Sequence, residues 1–90
     1  MNIKLSAKFQ KEIKYLALRN PQLVQKIEKQ LKLFASNNLH PSLRTHKLSG
    51  NQSDSWSISV ARSIRMVYTQ LPGGFAYFYL IGTHDEVYRK

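Results

Sequence analysis

The alternation of apolar and polar residues is clearest in two short runs, Trp56-Ser57-Ile58-Ser59-Val60 and Ile64-Arg65-Met66-Val67-Tyr68. A period of two residues is typical of strands that bury one face, and residues 61–63 between the runs form the predicted hairpin turn. Leu71-Pro72-Gly73-Gly74 indicates a second turn, and the nearly unbroken apolar run 75–81 has the composition of a central strand. We therefore expect three consecutive antiparallel strands in this half of the chain.

The N-terminal half has a helical period instead. Residues 2–5 alternate and predict a short first strand, after which the Ser6 side chain can cap a helix. From Lys8 to Arg19 the apolar residues fall on one side and the basic residues on the other. Asn20-Pro21 ends this helix, because proline disfavours helical geometry in the preceding residue but suits the first turn of a new helix. A second amphipathic helix, with apolar positions from Leu23 to Ala35, completes a helical hairpin.

The predicted fold class is α+β, with the element order βααβββ. Residues 39–54 are predicted to be a loop and Thr83–Lys90 a polar tail. The helices are expected to pack on one face of an antiparallel sheet, which leaves the opposite face partly open. A chain of 90 residues provides one hydrophobic core, so residues 1–90 are predicted to form a single domain.

Charge is the strongest compositional signal. Lys and Arg number 14 against 5 Asp and Glu, giving a formal net charge of +9, and the resulting positive field predicts an anionic partner, RNA first of all. The chain has no cysteine for a disulfide framework or a thiolate zinc site. We see no apolar signal core at the N-terminus and no run of about 20 apolar residues for a membrane span. A cytoplasmic location without a membrane partner is therefore expected.

Three separate segments supply the residues that could carry chemistry: His46 in the loop, Arg65 in the hairpin, and His84 with Tyr88 after the last strand. RNA can be cleaved without a metal when a base deprotonates the ribose 2′-hydroxyl and an acid protonates the leaving 5′-oxygen, and histidine suits either role. An arginine can stabilise the phosphate and a tyrosine can stack on a base. Each residue also has an ordinary structural interpretation, as a solvated histidine, a surface charge or a packed ring.

Two further sets of residues are candidates for binding. The basic residues near the catalytic candidates are predicted to contact RNA: Arg44, Lys47, Arg62 and Arg89. Leu18 and Leu33 fall outside the apolar stripes of the two helices and are predicted to receive an apolar segment of a partner. No metal or cofactor is expected, because the consecutive residues 84–86 cannot turn three side chains to one point.

Four motifs in order give the chain a resemblance to the RelE/ParE superfamily of bacterial type II toxin–antitoxin toxins. They are His46-Lys47-Leu48-Ser49-Gly50, Trp56-Ser57-Ile58-Ser59-Val60, Ile64-Arg65-Met66-Val67-Tyr68 and Ile81-Gly82-Thr83-His84-Asp85-Glu86-Val87-Tyr88. The resemblance implies a helical hairpin against a curved antiparallel sheet. It also implies metal-independent cleavage of mRNA on the ribosome and neutralisation by a cognate acidic antitoxin, with operator DNA reached only through that complex.

The last motif looks most like the YafQ-type and HigB-type members. By resemblance the catalytic roles fall on His46, His84 and Tyr88, and Arg65 matches an arginine that many RelE-like relatives use. The sequence departs from the YafQ type at Ser59 and Ser63, where that type carries a histidine and an aspartate. Two alternatives therefore stay open: a ParE-like DNA gyrase inhibitor that cuts no RNA, or a degenerate toxin that retains only antitoxin and operator binding.

Overall fold

The computed structural model describes residues 1–48 and 54–88. A five-stranded sheet carries a helical hairpin on one face, with the strands in the order β1-β5-β4-β3-β2. The elements are β1 (Asn2–Leu5), α1 (Ala7–Arg19), α2 (Pro21–Ser36), a 3-10 turn (Pro41–Leu43), β2 (His46–Lys47), β3 (Ser55–Ser59), β4 (Ile64–Leu71), β5 (Phe75–Thr83) and α3 (His84–Tyr88). The predicted α+β class is confirmed, and β2 and α3 are additions to the predicted order.

The first strand joins the sheet rather than lying outside it. It pairs with β5 in parallel, with Asn2 opposite Phe75 and Leu5 opposite Phe78, whereas the β2–β3, β3–β4 and β4–β5 pairs are antiparallel. Parallel neighbours need a long connection, and the chain between Leu5 and Phe75 provides it. β1 therefore covers one edge of β5, the central strand predicted from its apolar composition.

The boundaries of the two long helices follow the predicted chemistry. The Ser6 hydroxyl accepts a hydrogen bond from the Phe9 amide at 3.0 Å and caps α1. Asn20 closes α1 and also caps α2, since its side-chain oxygen accepts from the Leu23 amide at 3.2 Å. Pro21 occupies the first turn of α2, where its missing N–H costs nothing.

The main core lies between the helical hairpin and the sheet. Phe34 of α2 packs edge-on against Tyr68 and Phe78, with ring centroids 4.9 and 5.3 Å apart. Burial raises the pKa of the Tyr68 phenol, which therefore stays neutral in the core. The fully buried members of this cluster are Phe9, Ile27, Phe34, Leu43, Ile58, Met66, Ala76 and Phe78.

The opposite face of the sheet is partly covered by a short helix where a polar tail was predicted. Helix α3 places Val87 against Leu48 and Val67 in a second small cluster. It begins with a reciprocal capping box, in which the Thr83 amide donates to the Glu86 carboxylate at 2.7 Å and the Glu86 amide donates to the Thr83 hydroxyl at 3.1 Å. The tail prediction was wrong for residues 84–88 because the acidic pair before Val87 supports a helix start. Within the described residues, no helix is long and apolar enough to cross a membrane.

Candidate active site

A buried serine of β3 lies at the centre of the candidate site. The Ser57 hydroxyl is 2.6 Å from the Tyr88 hydroxyl and accepts a hydrogen bond from Arg65 Nε at 2.8 Å. On the neighbouring strand β2, His46 lies directly opposite Ser57. Four residues from four different elements therefore meet on the face of the sheet that α3 covers.

Arg65 is buried in this cluster rather than presented to solvent. Its side chain is on the face opposite Ile64 and Met66, as predicted, but the residue is only 8% exposed. Besides Ser57 Oγ, the guanidinium donates to the Ser57 carbonyl at 3.2 Å and to the Arg44 carbonyl. Nε and Nη2 are directed to protein acceptors and are therefore not available to a phosphate. Of the three guanidinium nitrogens, only Nη1 has no hydrogen-bond partner among residues 1–48 and 54–88.

Tyr88 and His84 form the outer part of the site. They lie on the same side of α3, one turn apart, and their ring centroids are 4.5 Å from each other at an interplanar angle of 41°. The His84 imidazole is largely exposed, and Nδ1 is 3.9 Å from the carboxylate of Asp85. Tyr88 thus contacts the His84 ring on one side and Ser57 through its hydroxyl.

Gly82 lies directly against the Glu86 side chain that caps α3. A Cβ atom at this position would lie 2.8 Å from Glu86 Oε1 and 3.2 Å from Glu86 Cβ. Because Glu86 closes the capping box of α3, a larger residue at position 82 would push the Glu86 side chain away and disturb this cap. The Gly-Thr-His-Asp-Glu sequence therefore allows the Glu86 side chain to approach Gly82 closely and provides the capping residues at the start of α3.

His46 is held beside the site by a very short strand. β2 has two residues, and the pairing of His46 with Ser57 puts both side chains on one face, with Cβ atoms about 4.5–5.5 Å apart in such pairs. The loop before it contains Arg44, whose φ of 47° is in the left-handed region. The Arg44 carbonyl accepts from Arg65, so the guanidinium also fixes the chain just before His46.

The predicted RNA-binding residues are divided among several surfaces. Lys47 is on the opposite face from His46, with its amine 5.6 Å from the centroid of the Trp56 ring, so the structure does not bring it to the site. Successive strand residues point to opposite faces, which is the reason for this correction. The Arg44 side chain is exposed beside the site, and Arg89 lies outside the described residues.

Arg62 is exposed in the turn between β3 and β4. Its neighbour Ser63 accepts a hydrogen bond from the His84 amide at 3.0 Å through its carbonyl, so this turn lies directly against the start of α3. The Ser59 hydroxyl donates to the Ala61 carbonyl at 3.4 Å. Ser59 and Ser63, where the sequence departs from the YafQ-type pattern, thus border the site. Arg62 is the basic residue next to them.

The two leucines predicted to meet a partner have different environments. Leu18 is 88% exposed on α1, but Leu33 is half-buried and packs against the main core. Leu33 is better buried than its position on a helical wheel indicates, because it contributes to the core from the flank of α2. The second large exposed residue on this surface is not Leu33 but Tyr15, one turn before Leu18 on α1.

Sequence reasoning missed both α3 and the role of Ser57. Thr83 and Glu86 have the spacing of a capping box, which is the signal that could have identified α3. Ser57 was interpreted only as a polar residue in an alternating strand, and no local pattern distinguishes it from Ser55 and Ser59 in the same strand. In the described part of the chain, no group of three His, Asp or Glu side chains is arranged to hold a metal ion.

The same fold occurs in solved toxin structures. A YoeB/ParE toxin from Agrobacterium tumefaciens has a TM-score of 0.78 at 15% identity, with 93% of this chain and 99% of that chain covered. YafQ from E. coli strain BL21(DE3) has a TM-score of 0.75 at 21% identity, with 97% of both chains covered. The YoeB–YefM complex from Staphylococcus aureus matches with a TM-score of 0.75 at 26% identity, covering 93% of this chain and 97% of that chain.

The fold is therefore that of the YoeB and YafQ toxins. The family model described as a bacterial toxin of type II toxin–antitoxin system, YafQ, matches residues 1–89. The chain belongs to this YafQ family of type II toxins. No curated protein sequence matches it.

Proposed function

We propose that the protein is a ribosome-dependent, metal-independent endoribonuclease that cleaves mRNA and is neutralised by a cognate acidic antitoxin. The observation that carries the proposal is the cluster of His84, Tyr88, Arg65 and Ser57, with His46 in register beside it. The ribosome and mRNA are inferred from membership of the family and from the formal net charge of +9.

The proposed chemistry is an internal attack on the RNA chain. One histidine of the pair His46 and His84 takes the proton of the ribose 2′-hydroxyl, whose oxygen then bonds to the adjacent phosphorus. The bond from phosphorus to the 5′-oxygen breaks, and the other histidine donates a proton to that oxygen. The products are a 2′,3′-cyclic phosphate and a free 5′-hydroxyl. Arg65 Nη1 and Arg62 are the groups proposed to stabilise the charge on the phosphate.

A basic surface on the helical-hairpin side of the β3–β4 turn, across the sheet from the site, is proposed as part of the path of the RNA chain. A shallow cleft of about 300 Å³ runs between the N-terminal end of α2 and the β3–β4 turn, with Lys26 and Ala61 among its lining residues. Ala61 precedes Arg62, and a second cleft of about 380 Å³ continues along α2 to Lys29. Contacts of such lysines with phosphates are independent of sequence and sensitive to salt.

His84→Ala tests the proposed chemistry most directly. We expect the parent protein to arrest growth on induction and to produce new mRNA 5′ ends, and the variant to cleave about 10²–10⁴-fold more slowly, which is the usual contribution of a general acid or base. Mapping of mRNA 5′ ends after controlled expression provides the measurement.

His40→Asn is the matched control for this substitution. His40 caps the 3-10 turn through Nδ1, which accepts from the Ser42 amide at 3.1 Å, and asparagine preserves a capping acceptor. We expect His40→Asn to cleave like the parent. Full cleavage by His84→Ala would reject the mechanism, blocked supercoiling with intact mRNA would favour gyrase inhibition, and no growth effect of the parent would indicate a degenerate toxin.

The antitoxin is proposed to contact α1 at Leu18. This helix carries four basic residues and one acidic residue, so an acidic partner with an apolar side chain at Leu18 would fit it. In the Staphylococcus aureus complex the YoeB toxin is bound to YefM, which supports an antitoxin partner here. Leu33 is a weaker candidate than predicted, because it is half-buried against the core.

Leu18→Glu is expected to weaken the complex with the proposed acidic antitoxin. The substitution removes apolar contact area and adds a repulsive charge, so we expect at least about a tenfold increase in the dissociation constant by calorimetry. Leu39→Glu is the control, since Leu39 is 84% exposed in the loop after α2. Equal affinities of the two variants would show that the antitoxin binds elsewhere.

A further inference from the structure

Strand β3 contains two buried serines on the same face, and each is hydrogen-bonded to a tyrosine. The Ser55 hydroxyl is 2.8 Å from the Tyr79 hydroxyl, and the Ser57 hydroxyl is 2.6 Å from the Tyr88 hydroxyl. Of the two, Ser57 has a charged group as a further side-chain partner, Arg65 Nε at 2.8 Å. The two serines are thus chemically similar, but one lies at the centre of the candidate site and the other outside it.

The hydrogen-bonding capacity of a serine hydroxyl explains what Ser57 can do. The group has one proton and two lone pairs. Arg65 Nε can only donate, so it occupies one lone pair, and the remaining proton and lone pair are available for Tyr88. Whichever oxygen donates in the bond between Ser57 and Tyr88, a single buried atom fixes both the guanidinium and the phenol.

The position of Tyr88 determines how His84 is held. The exposed His84 side chain has the Tyr88 ring at 4.5 Å and the Asp85 carboxylate at 3.9 Å as its neighbours. Asp85 is itself 95% exposed, so it provides little restraint. Of the two neighbours, the Tyr88 ring is therefore the one that restrains the His84 imidazole. The Ser57 hydroxyl holds the Tyr88 ring against the sheet through its hydrogen bond.

We propose that Ser57 is a positioning residue, which orients His84 through Tyr88 and holds Arg65 at the same time. The inference rests on the proposed ribonuclease function for its effect on cleavage, but its structural content is independent of it. Ser57 is also the register partner of His46, so the same strand residue lies opposite one proposed proton-transfer group and supports the other. Tyr88 acts in this scheme as a support for His84 rather than as a platform for a base.

The test compares Ser57→Ala with Ser55→Ala. Both variants remove a buried serine hydroxyl of β3 that is hydrogen-bonded to a tyrosine. Ser57→Ala also removes the acceptor of Arg65 Nε, so its structural cost is expected to be the larger of the two. In Ser57→Ala we expect the NMR signals of the His84 imidazole to change, because the Tyr88 ring loses its anchor, and mRNA cleavage to fall about 10- to 100-fold. In Ser55→Ala both the His84 signals and cleavage should match the parent.

Tyr88→Phe provides a second route to the same bond. It preserves the ring beside His84 but removes the hydroxyl that meets Ser57, and it remains informative should Ser57→Ala fail to fold. We expect the His84 signals to change in the same direction as in Ser57→Ala. Because both substitutions break the same hydrogen bond, the double variant should change the His84 signals no more than the more affected single variant does.

The outcomes separate this inference from the proposed function. Unchanged His84 signals in both Ser57→Ala and Tyr88→Phe would overturn the positioning role, whatever the protein does to RNA. Equal changes in Ser55→Ala and Ser57→Ala would overturn it as well. A parent protein that cleaves no mRNA would reject the proposed function alone, because the NMR comparison would still decide whether Ser57 orients His84.

Discussion

Phe34→Ala is expected to lower the free energy of unfolding by about 3–5 kcal/mol, the usual cost of truncating a fully buried phenylalanine. Phe34 is fully buried, and its ring meets Tyr68 and Phe78 edge-on at 4.9 and 5.3 Å. Alanine would remove these aromatic contacts and leave a cavity between α2 and two adjacent strands, which cannot collapse without moving the helix.

The size of the domain makes this loss severe. A chain of 90 residues is expected to have a total stability of roughly 5–14 kcal/mol, so the substitution removes a large part of it. Each kcal/mol lowers the melting temperature of a domain of this size by about 4–8 °C. Thermal unfolding followed by circular dichroism gives the measurement.

An exposed aromatic residue on the other helix is the control. Tyr15 of α1 is 56% exposed, and its ring centroid lies 4.7 Å from the guanidinium of Arg19. We expect Tyr15→Ala to change the free energy of unfolding by about 0.5 kcal/mol or less. A melting temperature of Phe34→Ala as high as that of Tyr15→Ala would mean that the hairpin does not depend on the Phe34 contacts.

The fold could be predicted to the extent that it is encoded locally. Asn20-Pro21 marks the boundary between the helices because capping and proline geometry act within a few residues. The alternation around Ile58 and Met66 identifies the buried face of β3 and β4 because strand periodicity is likewise local. The parallel pairing of Asn2 with Phe75 could not be predicted in this way, since it joins residues far apart in the sequence.

The sequence indicated which residues could form the candidate site, but not how they are arranged in the fold. His84 and Tyr88 were chosen for their chemistry, and the structure brings them together on α3 with Arg65 nearby. The burial of Arg65 could not be foreseen, because its guanidinium is held by acceptors of Ser57 and Arg44 that lie elsewhere in the sequence. Lys47 was grouped with His46 by sequence proximity, although neighbouring strand residues point to opposite faces.

Arg65→Met is expected to reduce mRNA cleavage by about 10²–10³-fold, comparable to the loss of one donor that stabilises a transition state. The variant loses the Nη1 group proposed to face the phosphate and also the bonds to Ser57 and Arg44. Because carbonyl groups in or near the protein interior lose their donors, the free energy of unfolding should fall by about 1–3 kcal/mol. Urea denaturation and 5′-end mapping measure the two effects separately.

Arg65→Lys distinguishes charge from geometry at the same position. Lysine preserves the positive charge, but its single ammonium cannot reproduce the fork that reaches Ser57 Oγ, the Ser57 carbonyl and the Arg44 carbonyl together. If the fork is what matters, Arg65→Lys should be nearly as defective as Arg65→Met. Parent-like cleavage and stability of Arg65→Lys would contradict the role of the fork, since charge alone would then be sufficient.

Arg62→Met is the control that separates buried from exposed guanidinium groups. Arg62 is exposed in the β3–β4 turn, so its replacement should leave the free energy of unfolding within about 0.5 kcal/mol of the parent. Its effect on cleavage should act through RNA binding and shrink as salt screens the phosphates. The defect of Arg65→Met should persist at higher salt, because Arg65 is 8% exposed and fixes the positions of Ser57 and the chain before His46 through hydrogen bonds inside the protein.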